Sequence, residues 1–327
     1  MRTRTIIWLI VAVGILTGSI LTCALRWDAW FTMPEEPAWE GDTLNIRMLT
    51  FADDTMLPCQ YADTLTMVVL GDVHNTLEQT DYRRIAEQCP DIQCYAQTGD
   101  FVEREQFYYR QMLQQQLDGT LFDSLPLLAC AGNHEYTKGL TGQPDATWRM
   151  AYEVPDNGPL GRNNESYYVD CKNVRFIVID TEAPFLLSDY TRLNAWTKNA
   201  IRSACQPWVV VMMHRPVFSS RKGRMNILTN ITLGYALSGA DVIFSGHDHT
   251  YARKGQAMQD EHTHHEPVWI TTSATTHART PKQRSLLDTI VSGEPFYEYM
   301  RIDEHTLTIQ SCTLDGTVID SVQLVKR

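Results

Sequence analysis

The chain of 327 residues is long enough for one or two domains with a sizeable core, because 43% of its residues are hydrophobic and only 20% are charged. Its net charge is −11 at pH 7, and the sequence contains no long basic run. These values argue against the basic face that a nucleic-acid-binding protein needs, so we expect no nucleic-acid partner.

The first 25 residues predict a membrane or export segment. Arg2 and Arg4 precede the uncharged run 6–25, which as a helix of about 1.5 Å per residue spans roughly 30 Å, the thickness of the bilayer hydrocarbon. A signal anchor, a cleaved signal peptide and a lipoprotein modified at Cys23 are the alternatives. In each case we expect the rest of the chain on the periplasmic or extracellular side, anchored to the membrane or secreted.

The cysteines agree with export without deciding it. Without Cys23 seven cysteines remain, an odd number that cannot pair completely within one chain. Cys89 and Cys94 flank the predicted end of a helix at Pro90, and either a short-loop disulfide or two small buried hydrophobic residues fits this spacing. The absence of a CxxC pair argues against a structural zinc ribbon.

Residues 26–60 are predicted to be a juxtamembrane segment with a strand in Leu44–Phe51, and one folded domain is predicted over residues 61–327. From residue 64, strands and helices alternate, which is typical of βαβ units and a parallel sheet. The predicted order is strand 64–70, helix 81–88, strand 92–98, helix 103–117 and strand 125–131.

The second half of the chain begins with a loop-rich stretch, 136–165, that contains three prolines. Alternation around Lys172 and Asn173 then predicts a hairpin. The elements predicted from there are the hairpin 166–180, a helix 189–204, and strands 207–213, 240–245, 268–273, 298–303, 306–314 and 318–325.

Polar residues directly follow five of the predicted strands. These exits read Gly71-Asp72-Val73-His74, Gly99-Asp100, Gly132-Asn133-His134-Glu135, His214-Arg215-Pro216 and Gly246-His247-Asp248-His249. Because α/β sheets bind ligands beyond the carboxyl ends of their strands, we expect the exits to meet at one site. Carboxylates, imidazoles and an amide oxygen suit manganese, iron or zinc. The sequence therefore predicts a centre of two metal ions that share one oxygen ligand and bind a phosphoryl oxygen.

The ordered motifs GDVH, GDFVE, GNHE, HRP and GHDHTY, over residues 64–255, resemble the calcineurin-like metallophosphoesterase family. The resemblance implies an α/β sandwich of two mixed β-sheets flanked by helices, with the catalytic domain over 61–327, including the C-terminal strands. It implies a first metal ion held by Asp72, His74, Asp100 and His249, and a second held by Asp100, Asn133, His214 and His247. It further implies that His134 is a catalytic acid or donor and that Glu135 and Asp248 orient imidazoles.

The segments HRPVFSS and GHDHTYAR most resemble the purple acid phosphatases within that family. Those enzymes have a tyrosine three residues after the bridging aspartate, where this chain has Glu103, and they lack the histidine found here as His74. One metal ligand is thus exchanged for another. We therefore expect a complete but colourless centre of two divalent or mixed-valence ions of manganese, iron or zinc.

The expected activity is hydrolysis of a small phosphorylated substrate, a phosphomonoester in the first place, by a metal-bridging hydroxide. A phosphodiesterase or pyrophosphohydrolase with the same centre is the alternative, and a non-catalytic metal-holding module is disfavoured by the complete ligand set. Arg221 and Arg224 follow the HRP motif and are candidate contacts for substrate phosphate, unless they belong to a solvated loop. The histidine-rich stretch 261–266 is predicted to be such a loop, and His277 and His305 have no motif context.

Overall fold

Buried apolar runs form the central strands of the protein. In the computed structural model, every residue of Leu65–Leu70, Val174–Ile179 and Trp208–Met213 is buried. Such runs without polar alternation are typical of strands covered on both faces. The structure describes residues 48–51, 64–136, 144–161, 165–171, 173–182, 187–221, 233–259, 266–282 and 285–326, which belong to one compact unit, Thr43–Arg327.

The first mixed sheet combines three parallel strands with an antiparallel meander. Its strands are β1 (Leu65–Leu70), β2 (Cys94–Gln97), β3 (Leu127–Ala129), β9 (Met258–Gln259), β12 (Phe296–Ile302), β13 (Thr306–Thr313) and β14 (Val318–Val325). They lie side by side in the order β3-β2-β1-β12-β13-β14-β9. β1, β2 and β3 run parallel, so their carboxyl ends reach the same edge.

The second mixed sheet has a parallel centre and antiparallel margins. Its strands are β4 (Tyr167–Cys171), β5 (Val174–Ile179), β6 (Trp208–Met213), β7 (Val242–Ser245), β8 (Tyr251–Lys254), β10 (Val268–Thr271) and β11 (Thr289–Val291). Their order is β11-β8-β10-β7-β6-β5-β4, with β5, β6, β7 and β10 mutually parallel.

Three layers of apolar contacts hold the sheets and helices together. Between the sheets, Val69 of β1 belongs to the same core as Phe176 of β5 and Phe244 of β7. The helices are α1 (Gln79–Gln88), α2 (Phe107–Leu117), α3 (Ala146–Ala151) and α4 (Leu187–Arg202). Ile85 and Leu113 place α1 and α2 against the first sheet, and Leu193 places α4 against the second. The predicted sandwich of two mixed sheets flanked by helices is confirmed.

Most predicted elements appear within a few residues of their expected bounds, and the exceptions have local causes. The helix expected from Glu103 begins only at Phe107, because the backbone N–H of Glu103 donates to the Asn75 side chain, 2.8 Å away, and its carbonyl is bound by the ring of His134. α3 lies in the stretch predicted to be a loop and is capped by Asp145, whose Oδ1 accepts from the N–H of Thr147 at 2.8 Å. The short strands β8, β9 and β11 were not predicted.

The short-loop disulfide is wrong, because Cys89 and Cys94 are both free and buried, as the alternative interpretation held. Cys171 is disulfide-bonded. Of the predicted strand Leu44–Phe51 only residues 48–51 are described, and there Thr50 forms one parallel bridge with Leu127. The predicted membrane segment, Cys23, Arg224 and the stretch 261–265 lie outside the described residues. Within the described ranges, no helix combines the length and the apolar character that crossing a membrane requires.

Candidate metal centre

Turns from both sheets meet at the edge formed by the carboxyl ends of β1, β2, β3, β6 and β7. The backbone N–H of Asp72 donates to the carbonyl of Gly99 at 3.2 Å, and that of His74 donates to the carbonyl of Asp100 at 3.0 Å. In the second sheet, the N–H of Gly246 donates to the carbonyl of His214 at 2.9 Å. These bonds fix the turns to one another before any side chain is considered.

The turns carry unusual backbone conformations. Positive φ angles between 44° and 71° occur at six residues that are not glycine: Asp72, His74, Asn75, Asp100, His247 and His249. Each costs of the order of 1 kcal/mol or more, and such residues are found together chiefly where function requires the geometry. Five of the six belong to the ligand set predicted from the sequence.

Two glycines allow the carboxylates to approach. A Cβ atom at Gly246 would lie 2.5 Å from Oδ2 of Asp72, and a Cβ atom at Gly132 would collide with Oδ1 of Asp100. Any side chain at either position would therefore displace a carboxylate of the site. This explains why glycine precedes the polar residue at these strand exits.

The first ligand cluster consists of Asp72, His74 and His249. Nε2 of His74 lies 3.2 Å from Nε2 of His249 and 4.0 Å from Oδ1 of Asp72, and Nε2 of His249 lies 3.6 Å from the same oxygen. Atoms that bind one cation at about 2.1 Å lie roughly 3–4 Å apart, so this donor set fits a single ion.

The second cluster consists of Asp100, His214 and His247, and Asn133 lies beside it. Nε2 of His214 lies 3.1 Å from Nδ1 of His247, 3.2 Å from Oδ1 of Asn133 and 3.2 Å from Oδ2 of Asp100. The same Asp100 oxygen lies 3.7 Å from Nε2 of His74 in the first cluster. Asp100 is thus the side chain that faces both clusters, as a ligand shared by two ions must.

Burial leaves the charges in both clusters uncompensated unless cations are bound. Desolvation raises the pKa of the buried Asp72 carboxyl to about 7, although His214 opposes the shift. Burial lowers the pKa of His214, but Asp100 and Asp72 outweigh it and raise the value to about 10. For His249, burial and then His74 lower the pKa to about 3, which keeps its ring neutral and its Nε2 available as a ligand. Buried carboxylates and a neutral imidazole together favour a bound cation.

Glu135 holds the turn that carries Asp100. Its Oε2 accepts from the backbone N–H groups of Asp100 and Gly132, both at 2.7 Å, and its Oε1 accepts from those of Phe101 and Val102 at 2.8 and 3.4 Å. Asp248 is bound in a similar way by the two serines that follow the HRP strand, with distances of 2.6–3.0 Å. Glu135 thus binds backbone N–H groups and Asp248 binds hydroxyl and backbone groups, and the orientation of imidazoles by these two residues stays a prediction.

Other groups orient the imidazole rings. The backbone carbonyls of Thr98 and His277 lie 2.9 and 3.0 Å from Nδ1 of His214 and of His249. A carboxylate oxygen of Glu103 lies 3.2 Å from Nδ1 of His74. Each contact leaves Nε2 free to face the cluster, which is the usual role of such partners around a metal ion. Glu103 thus occupies the position of the missing tyrosine and contacts a ligand.

His134 belongs to neither of the two clusters, although it lies with His74 and Glu103 in a third group of side chains that could hold a metal ion. Its side chain is 32% exposed, whereas those of His74, His214 and His249 are 3%, 0% and 6% exposed. Its Nδ1 donates to the carbonyl of Glu103, and its Nε2 lies 4.0 Å from Oδ2 of Asp100. The free nitrogen therefore faces the site from the solvent side.

Arg215 and Glu182 are residues of the site for which we predicted no role from the sequence. Arg215 donates to both carboxylate oxygens of Glu182 at 2.6 Å, and its Nη1 lies 3.1 Å from Nε2 of His247. The HRP motif contains Arg215, but nothing in the sequence marks Glu182 as its partner. Arg221 is half-buried beside Asp248, as expected of a residue that follows this strand.

The profile of the calcineurin-like phosphoesterases matches residues 65–251. The chain belongs to this family. Purple acid phosphatase 18 of Arabidopsis thaliana is 23% identical over 237 residues, which cover 65% of this chain and 50% of that protein. Acid phosphatase type 7 of Mus musculus is 26% identical over 154 residues, 40% of this chain and 33% of that one. The chain spans between about a third and half of the length of such relatives.

Solved structures with this fold include a purple acid phosphatase from yellow lupin seeds, with a TM-score of 0.67, 17% identity, and coverage of 82% of this chain and 55% of that one. A second is GAP50, the anchor in the inner membrane complex of Plasmodium, with a TM-score of 0.59, 14% identity, and coverage of 81% and 89%. At these identities the likeness concerns the fold alone.

Proposed function

We propose that this protein hydrolyses phosphomonoesters at a centre of two metal ions held by the six residues of the two clusters and by Asn133. The observation that carries the proposal is the position of Asp100, whose Oδ2 lies 3.7 Å from Nε2 of His74 and 3.2 Å from Nε2 of His214. Membership of the calcineurin-like phosphoesterases and the similarity to purple acid phosphatases support the same activity. When bound, the ions would supply positive charge for a phosphoryl oxygen and an acidified water as nucleophile.

The protein's own contribution to the reaction centres on His134. Its Nδ1 is bound to the Glu103 carbonyl, so a proton that reaches the leaving-group oxygen must come from Nε2. The ring of His134 can be reached by a substrate from solvent, whereas the histidines of the two clusters are buried. We infer that His134 protonates the leaving alkoxide, a step that typically contributes about 10²–10⁴-fold to the rate.

The donor set favours manganese, iron or zinc over softer metals, because it contains imidazole, carboxylate and amide groups and no thiolate. With Glu103 at the tyrosine position and His74 as an additional nitrogen donor, we propose a centre without tyrosinate colour. Both clusters keep every ligand that the family resemblance implies. This favours an enzyme over a module that merely holds metal ions.

The test combines a substrate screen with one variant. The metal-reconstituted protein should hydrolyse phosphomonoesters faster than diesters and pyrophosphates, and no turnover on any of the three would refute the proposed activity. His134→Ala should keep both metal ions and lose about 10²–10⁴-fold in kcat for alkyl phosphates. The loss should be small for nitrophenyl phosphate, whose leaving group departs without a proton.

His305→Ala is the matched control, because His305 is exposed in the turn between β12 and β13. Loss of metal in His134→Ala would make His134 a ligand. If His134→Ala retained its metal ions and its rates depended on leaving-group pKa as those of the unmodified protein do, His134 would not be the acid.

A further inference from the structure

Two arginines lie on the His249 side of the centre without an ion-pair partner. Arg221 follows the serines that bind Asp248, and its own N–H donates to the hydroxyl of Ser219 at 3.0 Å. Arg279 lies in the segment after β10, and its N–H donates to the carbonyl of His249 at 3.1 Å. Both side chains are half-buried. Within the described ranges, no carboxylate forms an ion pair with either.

The two segments are tied to each other as well as to the centre. The N–H of Lys282 donates to the carbonyl of Ser220 at 2.9 Å, which fixes the segment of Arg279 beside that of Arg221. The carbonyl of His277, in the same segment, lies 3.0 Å from Nδ1 of the ligand His249. The positions of both arginine backbones are therefore set by groups that also set the metal ligands.

The charges of the two guanidinium groups act on each other. Burial lowers the pKa of Arg221 and Arg279 lowers it further, while Asp248 has the opposite effect. Two cations at this range repel each other, and nothing in the described structure offsets the repulsion apart from Asp248, whose carboxylate is already bound by two serines.

One guanidinium nitrogen has no acceptor. Nη1 of Arg221 is buried and forms no hydrogen bond. A buried donor without an acceptor costs about 1–3 kcal/mol, and such a group commonly marks the place of a ligand. The chain as a whole carries a net charge of −11, so a buried guanidinium nitrogen without an acceptor contrasts with its overall charge.

We propose that Arg221 and Arg279 form an anion-binding subsite, next to the first ligand cluster, for a second negatively charged group on the leaving-group side of the substrate. This inference rests on the proposed phosphomonoesterase activity. It narrows the substrate class to phosphomonoesters whose alcohol carries a further phosphate or carboxylate. Planar guanidinium groups bind such oxygens through paired charge-assisted hydrogen bonds.

The test uses ligands that cannot be hydrolysed. Alkane diphosphonates of three to five carbons and the monophosphonates of the same chain lengths differ only in the second anionic group. By calorimetry on the metal-reconstituted protein, we expect at least one diphosphonate to bind roughly tenfold more tightly than its monophosphonate, as one good charge-assisted contact would give. Arg279→Gln and Arg221→Gln should each abolish most of this ratio and leave monophosphonate affinity and metal content unchanged.

Arg301→Gln is the matched control, because Arg301 is exposed on β12, in the first sheet. If the unmodified protein bound diphosphonates and monophosphonates equally tightly, the subsite would be refuted. It would also be refuted if the ratio of the two affinities stayed the same in both Arg279→Gln and Arg221→Gln. Equal loss of monophosphonate binding would assign the arginines to the scissile phosphoryl group instead. Failure of every phosphonate to bind the metal-loaded protein would count against the proposed activity itself.

Discussion

Replacing Glu135 with glutamine should destabilise the protein severely, although the two side chains have nearly the same shape. Glu135 is fully buried, and its two oxygens accept from four backbone N–H groups. In Glu135→Gln one oxygen becomes an NH₂ group, which faces two N–H donors in either orientation. Each donor left without an acceptor costs about 1–3 kcal/mol, so the loss is about 2–6 kcal/mol.

The loss should be visible in thermal unfolding of the metal-free protein. One kcal/mol corresponds to about 2–4 °C in Tm for a domain of this size, so we expect a decrease of about 5–20 °C. Metal affinity should also fall, by about 10–100-fold, because the turn that presents Asp100 loses its support. Glu87→Gln, exposed on α1, is the control. A Tm for Glu135→Gln within about 2 °C of the unmodified protein would contradict the hydrogen bonding described here.

Three further predictions concern the shared ligand, the colour of the centre and the pH dependence of stability. Asp100→Asn should weaken binding of both metal ions together and abolish turnover, and near-normal metal content by elemental analysis would contradict a shared ligand. The iron-loaded protein should show no visible band from tyrosinate, since Glu103 stands where the tyrosine would be, and such a band would refute the ligand set. Burial raises the pKa of Glu298 to about 8, against an opposing hydrogen bond from Ser311. A carboxyl whose pKa is raised in the folded state loses its stabilising contribution as the pH rises from about 4.5 to 8. Glu298→Gln should therefore make the free energy of unfolding less dependent on pH in this range. An unchanged slope of the unfolding free energy against pH, measured by chemical unfolding, would contradict the prediction.

The candidate ligands could be recognised in the sequence because each lies within four residues of the end of a buried strand. A run such as Leu65–Leu70 predicts the strand, and the turn after it must then carry its polar residues to the sheet edge. The order of the motifs implied that two sheets bring these strand ends to one place. Burial pattern and local spacing thus carry most of the information about the centre.

Contacts between distant segments could not be predicted in this way. Glu182 binds Arg215 across 33 residues, and His277 reaches His249 through its backbone carbonyl, which any residue type provides. The four backbone N–H groups that donate to Glu135 could not be predicted, because backbone partners leave no trace in the sequence. Arg279 belongs to no motif, and only the structure shows that its backbone lies against His249.

The candidate ligands are divided between the two sheets, and this division would affect how the protein acquires the metal ions that we propose. Asp72 and Asp100 follow strands of the first sheet, whereas His214 and His247 follow strands of the second. A chain still emerging during synthesis would therefore hold Asp72, His74 and Asp100 without the histidines of the second sheet, and the candidate site is complete only when both sheets have packed. Metal ions bound there would connect the two sheets and stabilise the folded state, by an amount that rises with the logarithm of the free metal concentration. A shortage of metal ions would thus shorten the lifetime of the folded protein and also remove the activity that we propose.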